Sequence, residues 1–258
     1  MAKIRLDLYL VEKGLASSRT HAQELISAGQ VFLQQQDQQK KSLTKASLAI
    51  DTESNPNIIV ELGPANRYVS RGGLKLEGAL EHLHMNVADL QVLDVGISTG
   101  GFTDCLLQKK AAFVLGVDVG HGQVNPALKK HPHLQVLEGV NARDLSHEVR
   151  VLEQTPQHRF DLIVMDVSFI SIEHIIPQLK NFLKPAGHLL SLVKPQFEVG
   201  VDGLAKGGIV KDVSLYAKVQ EKIRTCCEKN EFSVQDYFAS SIEGKDGNHE
   251  FFVFAKRL

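Results

Sequence analysis

Cysteine is scarce: three occur in 258 residues, and two of them, Cys226 and Cys227, are adjacent. An odd and clustered set gives neither a disulfide framework nor zinc-ligand spacing, so reduced, buried thiols are expected. The 11 histidines contain no His-Glu-x-x-His pattern, and no metal is expected. An excess of one charge is also missing. The formal net charge is -1, so any nucleic-acid site must be a local patch. No stretch approaches the roughly 20 apolar residues that span a bilayer, so no membrane partner is expected. Asp7, Glu12 and Lys13 interrupt the first residues, which do not fit the apolar segment of a secretion signal. The expected location is the cytoplasm. Apolar residues are not scarce: at 43% they suffice for a real core.

The texture of the chain changes near residue 62. Upstream, Leu6, Leu10 and Val11 fall at helical spacing, and Gly14 stops that segment. Ser17 or Ser18 is suited to cap a second helix with Ala22, Leu25 and Ile26 on its apolar face, ended by Gly29. Val31-Phe32-Leu33 reads as a strand, and Gln34 to Lys41 as an exposed turn. Up to Ile50 there are seven Lys/Arg against four Asp/Glu, so this part is locally positive. After Gly63-Pro64, apolar runs alternate with helix-like segments. Strands are expected at 92–95, 113–117, 135–137, 162–165 and 189–193. Helices are expected at 102–110, 125–130 and 172–183. Such alternation predicts a mostly parallel sheet with helices on both faces. A helix at 214–229 and strands at 233–239 and 250–256 predict an antiparallel return at one edge.

The run Leu93-Asp94-Val95-Gly96-Ile97-Ser98-Thr99-Gly100-Gly101-Phe102-Thr103 follows the first strand and opens a helix. Ligands bind at the carboxyl ends of such strands. The spacing Gly-x-x-x-Gly-Gly is neither the dinucleotide fingerprint nor a Gly-Lys-Ser/Thr phosphate loop. An acidic residue just before the glycines suits a cationic amino-acid ligand. Asp118 closes the next strand, where a carboxylate can take both hydroxyls of a ribose. Asn141-Ala142-Arg143-Asp144 follows the third strand, where an amide is suited to meet an adenine edge.

These motifs, with Ser70-Arg71-Gly72-Gly73-Leu74-Lys75-Leu76, Met165-Asp166-Val167-Ser168-Phe169-Ile170-Ser171 and Val193-Lys194-Pro195-Gln196-Phe197-Glu198, resemble the TlyA type of rRNA 2′-O-methyltransferases. That family, also known as haemolysin A proteins, lies within the FtsJ-like methyltransferases, and the similarity covers nearly the whole chain. The N-terminal segment is similar to the RNA-binding domain named after ribosomal protein S-four. It matches at Arg5-Leu6-Asp7, Gly14-Leu15, Ser18-Arg19, Ala22, Ile26, Gly29 and Val31. Gln34 stands where that domain commonly has Asn, and His121 where the family often has an aromatic residue. The resemblance implies an α/β fold. A Rossmann-like methyltransferase sheet, mostly parallel with an antiparallel late strand, would follow a small N-terminal α+β RNA-binding domain. The domains would be 1–62 and 63–258. The implied cofactor is S-adenosylmethionine, and the implied substrate is RNA, with cytidine in ribosomal RNA or its subunits as target.

The family's Lys-Asp-Lys-Glu tetrad maps to Lys75, Asp166, Lys194 and Glu250. Its cofactor positions map to Asp94, Gly96, Ser98, Thr99, Gly100, Gly101, Phe102, Asp118, Val119, Asn141, Ala142 and Asp166. A phosphate-contacting patch is expected from Arg5, Arg19, Lys40, Lys41 and Arg71. A ribose hydroxyl must lose its proton as it attacks the sulfonium methyl, so a base is needed beside it. Lysine normally titrates at about 10.4 and needs burial or a second cation to serve. Lys194 is assigned as base and Lys75 as second cation. Asp166 faces the methyl donor and Lys194, and Glu250 holds Lys75 or the ribose. The loop from Gln196 to Lys211 is a candidate to close over RNA. A membrane-active haemolysin is the alternative, and it predicts a secretion signal, a spanning segment or a cysteine framework. A catalytically dead binding protein and a methyltransferase of protein or small molecules are further alternatives. The tetrad counts against the first and the basic N-terminal segment against the second.

Overall fold

Short apolar runs separated by turns build this chain into two compact units, Met1–Arg67 and Tyr68–Leu258. The structure, a computed structural model, describes residues 3–16, 19–34, 39–60, 67–157, 159–205, 207–210, 212–244 and 247–258. The sequence break near Gly63-Pro64 and the expected caps Ser17 and Ser18 lie outside the described residues.

The first unit runs β1 (Lys3–Arg5), α1 (Leu6–Glu12), α2 (Arg19–Ser27), β2 (Val31–Gln34), β3 (Lys40–Ser42), β4 (Ala49–Asp51) and β5 (Ile58–Val60). Leu6 and Leu10 of α1 share a core with Ala22, Leu25 and Ile26 of α2, as helical spacing requires. Gly14 and Gly29 follow the helices at φ +71° and +69°, in the left-handed region that ends helices cheaply. Antiparallel pairing gives a β1–β4 ribbon and a β3–β2–β5 sheet. Lys40 and Lys41 are therefore not in a turn: Leu33 pairs with Lys41, and β3 is a fully exposed edge strand. Lysines suit such an edge because they oppose pairing with another chain. Residues 35–38 of the expected turn lie outside the described residues.

The second unit contains α3 (Arg71–His82), β6 (Gln91–Val95), α4 (Gly101–Gln108), β7 (Phe113–Asp118), β8 (Leu134–Glu138), α5 (Val149–Gln154), β9 (Phe160–Met165), α6 (Ile176–Leu179), β10 (Leu183–Val193), α7 (Ser214–Lys229), β11 (Phe232–Ala239) and β12 (Phe251–Arg257). The seven-stranded sheet has the order β11-β12-β10-β9-β6-β7-β8. Strand residues alternate between its faces. Leu93, Ile163 and Leu189 join one core with Ile176, Leu179, Val219 and Ile223. Val92, Leu162 and Leu190 join the other with Leu76, Leu80, Phe102 and Leu106. Both faces are thus covered, as a parallel sheet needs. The three cysteines are free and buried. Burial pushes the thiols of Cys105 and Cys227 up to about 12 and that of Cys226 up to about 11, which makes them poor nucleophiles.

The structure corrects several expectations. Lys75 lies on α3, in a motif whose two glycines would suit a loop. Gly72 and Gly73 occupy only the first turn, and Leu76, Ala79 and Leu80 supply a buried face. A side chain at Gly73 would collide with the Tyr68 ring. The segment 125–130 forms only a 3₁₀ turn, Leu128–Lys130. The segment 172–183 breaks into a 3₁₀ turn, the four-residue α6 and another 3₁₀ turn, with Pro177 at the start of α6. Proline has no N–H to continue the preceding turn. The antiparallel return does lie at one edge of the sheet, as expected, with β11 outermost and β12 between it and β10. Phe252, Val253 and Ala255 are fully buried and so demand a central place.

Candidate active site

Strand order reverses between β6 and β9, and the crevice at that switch point is where such sheets bind ligands. The glycine loop leaves β6 there. Gly96 has φ +85° and Ser98 φ +48°, and Gly100 caps α4 at φ +98°. A Cβ on Gly96 would sit 2.6 Å from the Asp166 carbonyl oxygen, so glycine lets the loop touch the end of β9. Asp118, at the end of β7, fixes the loop. Its Oδ2 accepts Ser98 N at 2.7 Å and its Oδ1 accepts Gly120 N at 2.7 Å.

A cavity of about 530 Å³ opens beside this loop. Gly96, Ser98, Asp118, Val119, Asn141, Ala142 and Asp166 all line it, from the ends of β6, β7, β8 and β9. Thr99, Gly101 and Phe102 line a smaller adjoining pocket of about 90 Å³. Val119 is 71% exposed, an apolar surface without a protein cover. The Asn141 amide is partly used: its Oδ1 accepts Arg143 N at 3.1 Å and its Nδ2 donates to Asp144 at 3.2 Å, which leaves one lone pair and one hydrogen for a ligand. Asp94 has no exposed surface. Its Oδ2 accepts Thr103 Oγ1 at 2.6 Å, while Oδ1 is buried without a partner. Burial, and secondarily the nearby Asp166 and Asp118, push its carboxyl up to about 7.

Three of the four tetrad positions lie at strand ends along the same sheet edge, and Lys75 reaches the third of them from α3. Asp166 follows β9 and Lys194 follows β10. Glu250 precedes β12, whose first residue Phe251 pairs with Val193. Lys194 Nζ lies 2.5 Å from Asp166 Oδ1 and donates to Ser168 Oγ at 2.9 Å. Lys75 Nζ donates to Glu250 Oε2 at 2.5 Å, with the two side chains 10% and 4% exposed. The tetrad is thus two ion pairs, one beside the cavity and one at the neighbouring strand end.

Residues outside the assigned set also shape the mouth. Phe169 lines the cavity at φ +64° and is 89% exposed. Its ring meets that of Phe197 at 5.2 Å. The signal was its motif, Asp166 to Ser171, but nothing local marks which aromatic ring stays uncovered. The loop after Lys194 is anchored. Asn248, only 3% exposed, donates to Gly208 O at 3.1 Å and accepts Val210 N at 3.2 Å. Lys206 and Lys211 lie outside the described residues.

Of the expected phosphate contacts, Arg5 and Arg19 share one buried carboxylate. Arg5 makes two 3.0 Å bonds to Asp7, and Arg19 Nε makes another at 3.0 Å. The Arg5 guanidinium, foremost, holds the Asp7 carboxyl well below the usual carboxylate range. Lys40 and Lys41 are exposed on β3. Arg71, at the start of α3, donates to Glu243 O at 2.7 Å.

A doubly wound sheet of this order, with a glycine loop and a strand-end acid at its switch point, defines the Rossmann-like methyltransferase class. The FtsJ-like methyltransferase family matches residues 68–257, and the S4 domain matches residues 4–40. The 16S/23S rRNA (cytidine-2′-O)-methyltransferase TlyA of Mycobacterium tuberculosis is 37% identical over 254 residues, 98% of this chain and 90% of that protein. Hemolysin A of Brachyspira hyodysenteriae is 36% identical over 248 residues, 96% and 98% of the two chains. A solved candidate hemolysin from Streptococcus thermophilus covers 100% of this chain, and 89% of its own is covered, at 35% identity and TM-score 0.71. The chain belongs to the TlyA type of the FtsJ-like methyltransferase family. Among the described residues no helix is long and apolar enough to cross a membrane.

The cofactor of this enzyme class is S-adenosylmethionine, and the residues present fit it. Asp94 leaves a buried oxygen unpartnered behind the loop, an acceptor that a cationic group could satisfy. The N-terminus of α4 favours a carboxylate. Each Asp118 oxygen has a second lone pair for a ribose hydroxyl. Val119, Val140 and Ile175 give the far wall an apolar surface for a base.

Proposed function

We propose that the chain methylates a ribose 2′-hydroxyl of RNA, cytidine in ribosomal RNA, with Lys194 as general base. The observation that carries this reading is the contact of Lys194 with Asp166 and Ser168 at the rim of the donor cavity. The M. tuberculosis relative's name, with its cytidine-2′-O activity, supports the substrate. When bound, the cofactor supplies an electrophilic methyl group. Asp94, Gly96, Ser98, Thr99, Gly100, Gly101, Phe102, Asp118, Val119, Asn141 and Ala142 form its site, with Asn141 working from a capped, fixed backbone. Asp166 orients Lys194 against the cavity, and Ser168 holds a second Nζ hydrogen. Lys194 takes the proton of the hydroxyl as it attacks. Lys75, held by Glu250, sits along the same edge and favours the developing negative charge on oxygen. Phe169 offers an uncovered aromatic face on which an unstacked base can lie.

In this reading residues 1–62 bind RNA and residues 63–258 catalyse. Arg5, Arg19, Lys40, Lys41 and Arg71 contact phosphates, which position an RNA without reading its sequence. The protein works in the cytoplasm on ribosomal subunits. Mass mapping of ribose methyls on subunits incubated with protein and donor tests the proposal. New 2′-O-methylcytidine is the expected product, and unmodified RNA overturns it.

A further inference from the structure

Glu198 is a buried carboxylate with no part in the scheme above. It lies four residues beyond Lys194, at the end of the 3₁₀ turn Pro195–Phe197. Its side chain is 1% exposed. Glutamate is rarely buried so fully unless it is paired, and here three donors meet it. Ser171 Oγ donates to Oε2 at 2.6 Å, Ile172 N to Oε1 at 2.9 Å, and Lys222 Nζ to Oε2 at 3.0 Å. Lys222, from α7, also donates to the Glu198 carbonyl at 3.1 Å and pairs with Glu173 at 2.7 Å.

The chain path gives these bonds a consequence. The β9–β10 ladder ends at the pair Met165 and Ser191. Beyond it β10 runs on to Val193 paired with β12 alone, while Asp166 N still bonds Val95 O of β6, so no direct ladder sets the separation of Asp166 and Lys194. Ser171 and Ile172 close the segment that begins at Asp166. Glu198 closes the one that begins at Lys194. One carboxylate therefore fastens the far ends of two segments whose near ends meet at the Lys194–Asp166 and Lys194–Ser168 contacts. The rings of Phe169 and Phe197, 5.2 Å apart, make a second and weaker tie between the same segments.

We propose that Glu198 is a positioning residue for methyl transfer, setting where Lys194 stands relative to Asp166 and Ser168. The inference rests on the reading of Lys194 as base. Glu198 is not among the residues lining the donor cavity, so donor binding should not depend on it directly.

The test compares Glu198→Ala with Glu198→Gln in the full chain. The glutamine keeps the length and can accept Ile172 N, and the Ser171 hydroxyl can turn to accept from its amide. Only the side-chain bond from Lys222 is lost, and its bond to the residue 198 carbonyl remains. Single-turnover methylation of ribosomal subunits is measured at saturating donor and RNA, at a temperature where melting curves show every variant folded. Glu198→Ala is expected to slow the step by about 10- to 100-fold, the scale of an ångström-level misplacement. Glu198→Gln should recover most of that rate with wild-type donor affinity by calorimetry, and saturating donor keeps any loss of affinity in Glu198→Ala out of the measured rate. A merely structural role would leave the folded variants at the wild-type rate. The cross with Ser168→Ala adds a second readout. If Glu198 acts through that segment, the double variant loses less than the product of the single losses. If Glu198→Ala does not fold, Glu198→Asp, shorter by one methylene and still charged, carries the same comparison. A folded Glu198→Ala or Glu198→Asp that methylates at the wild-type rate overturns the proposal, as does a fully multiplicative cross. Wild-type protein that leaves RNA unmethylated would sink the enzyme reading instead, so the two failures are distinct.

Discussion

Lys75 on α3 and Glu250 before β12 lie 175 positions apart in sequence and meet in a 2.5 Å bond with almost no exposure to solvent. Removing one member of such a pair strands the other charge in the interior, at a cost of about 3–5 kcal/mol. Glu250→Ala should therefore unfold at distinctly lower urea than wild type, in the transition of the C-terminal unit. Replacing both, as Lys75→Met with Glu250→Leu, should recover most of that loss while methylation stays absent. A single Glu250→Ala with unchanged urea midpoint refutes the argument.

The N-terminal unit presents a different pair. Arg5 and Arg19 are partly exposed, 44% and 55%, but both are aimed by the buried Asp7. Guanidinium groups held this way lose little freedom on meeting a phosphate. Arg5→Ala and Arg19→Ala should each weaken RNA binding and lower the slope of log affinity against log salt by about one. Asp7→Asn keeps both positive charges yet frees them. It should weaken binding while leaving that slope near wild type. Filter binding across a salt series reads all three, and an Asp7→Asn affinity equal to wild type contradicts the aiming role.

Much of this site was legible because its chemistry sits at strand ends. Gly96 to Gly101, Asp118 and Lys194 each follow or close an apolar run that reads as a buried strand, whereas Lys75 and Glu250 rest on the family resemblance alone. What escaped the sequence was decided elsewhere in the chain. Gly72 and Gly73 look like a loop until Tyr68 is seen packed against Gly73 and the apolar face of α3 follows. The place of β12 between β10 and β11 is a choice among sheet edges that no local pattern encodes. Asn141, expected at the adenine edge, has part of its amide taken by its own neighbours Arg143 and Asp144, which no strand-end pattern announces. Glu198 stood inside a recognised motif, but its partners Ser171, Ile172 and Lys222 lie 24 to 27 positions away.

Asp94 gives the molecule a titration near neutrality. Burial raises its carboxyl in the fold to about 7, against an unfolded value of about 3.9. The folded state therefore holds a proton that the unfolded chain has lost between those limits. The stability this contributes is fully present below the unfolded value and is lost as pH rises through about 7. Asp94→Asn cannot ionise and still offers an oxygen to Thr103. The melting temperature of donor-free wild type, taken relative to Asp94→Asn, should fall between pH 5 and pH 8. A difference that does not move with pH would remove Asp94 from this role.

Lys194 tests the mechanism most directly. It directly follows β10, and Leu192 and Val193 before it are buried, so the side chain leaves the sheet at the rim of the donor cavity. There it meets Asp166 and Ser168. A base at this position must be neutral for part of the time. Arginine keeps the charge but stays protonated in proteins, so it cannot take the hydroxyl proton. Lys194→Arg should bind donor and RNA as wild type does and lose turnover by about 10²- to 10⁴-fold, the usual range for general-base catalysis. Lys194→Ala should lose turnover similarly, and it also removes a partner of Asp166, which lines the donor cavity, so its donor affinity should fall. Single-turnover methylation with parallel donor and RNA titrations separates the chemical step from binding. Lys194→Arg that methylates at close to the wild-type rate with intact binding would show that Lys194 is not the base. The role would then pass to Lys75 or to direct proton loss to water.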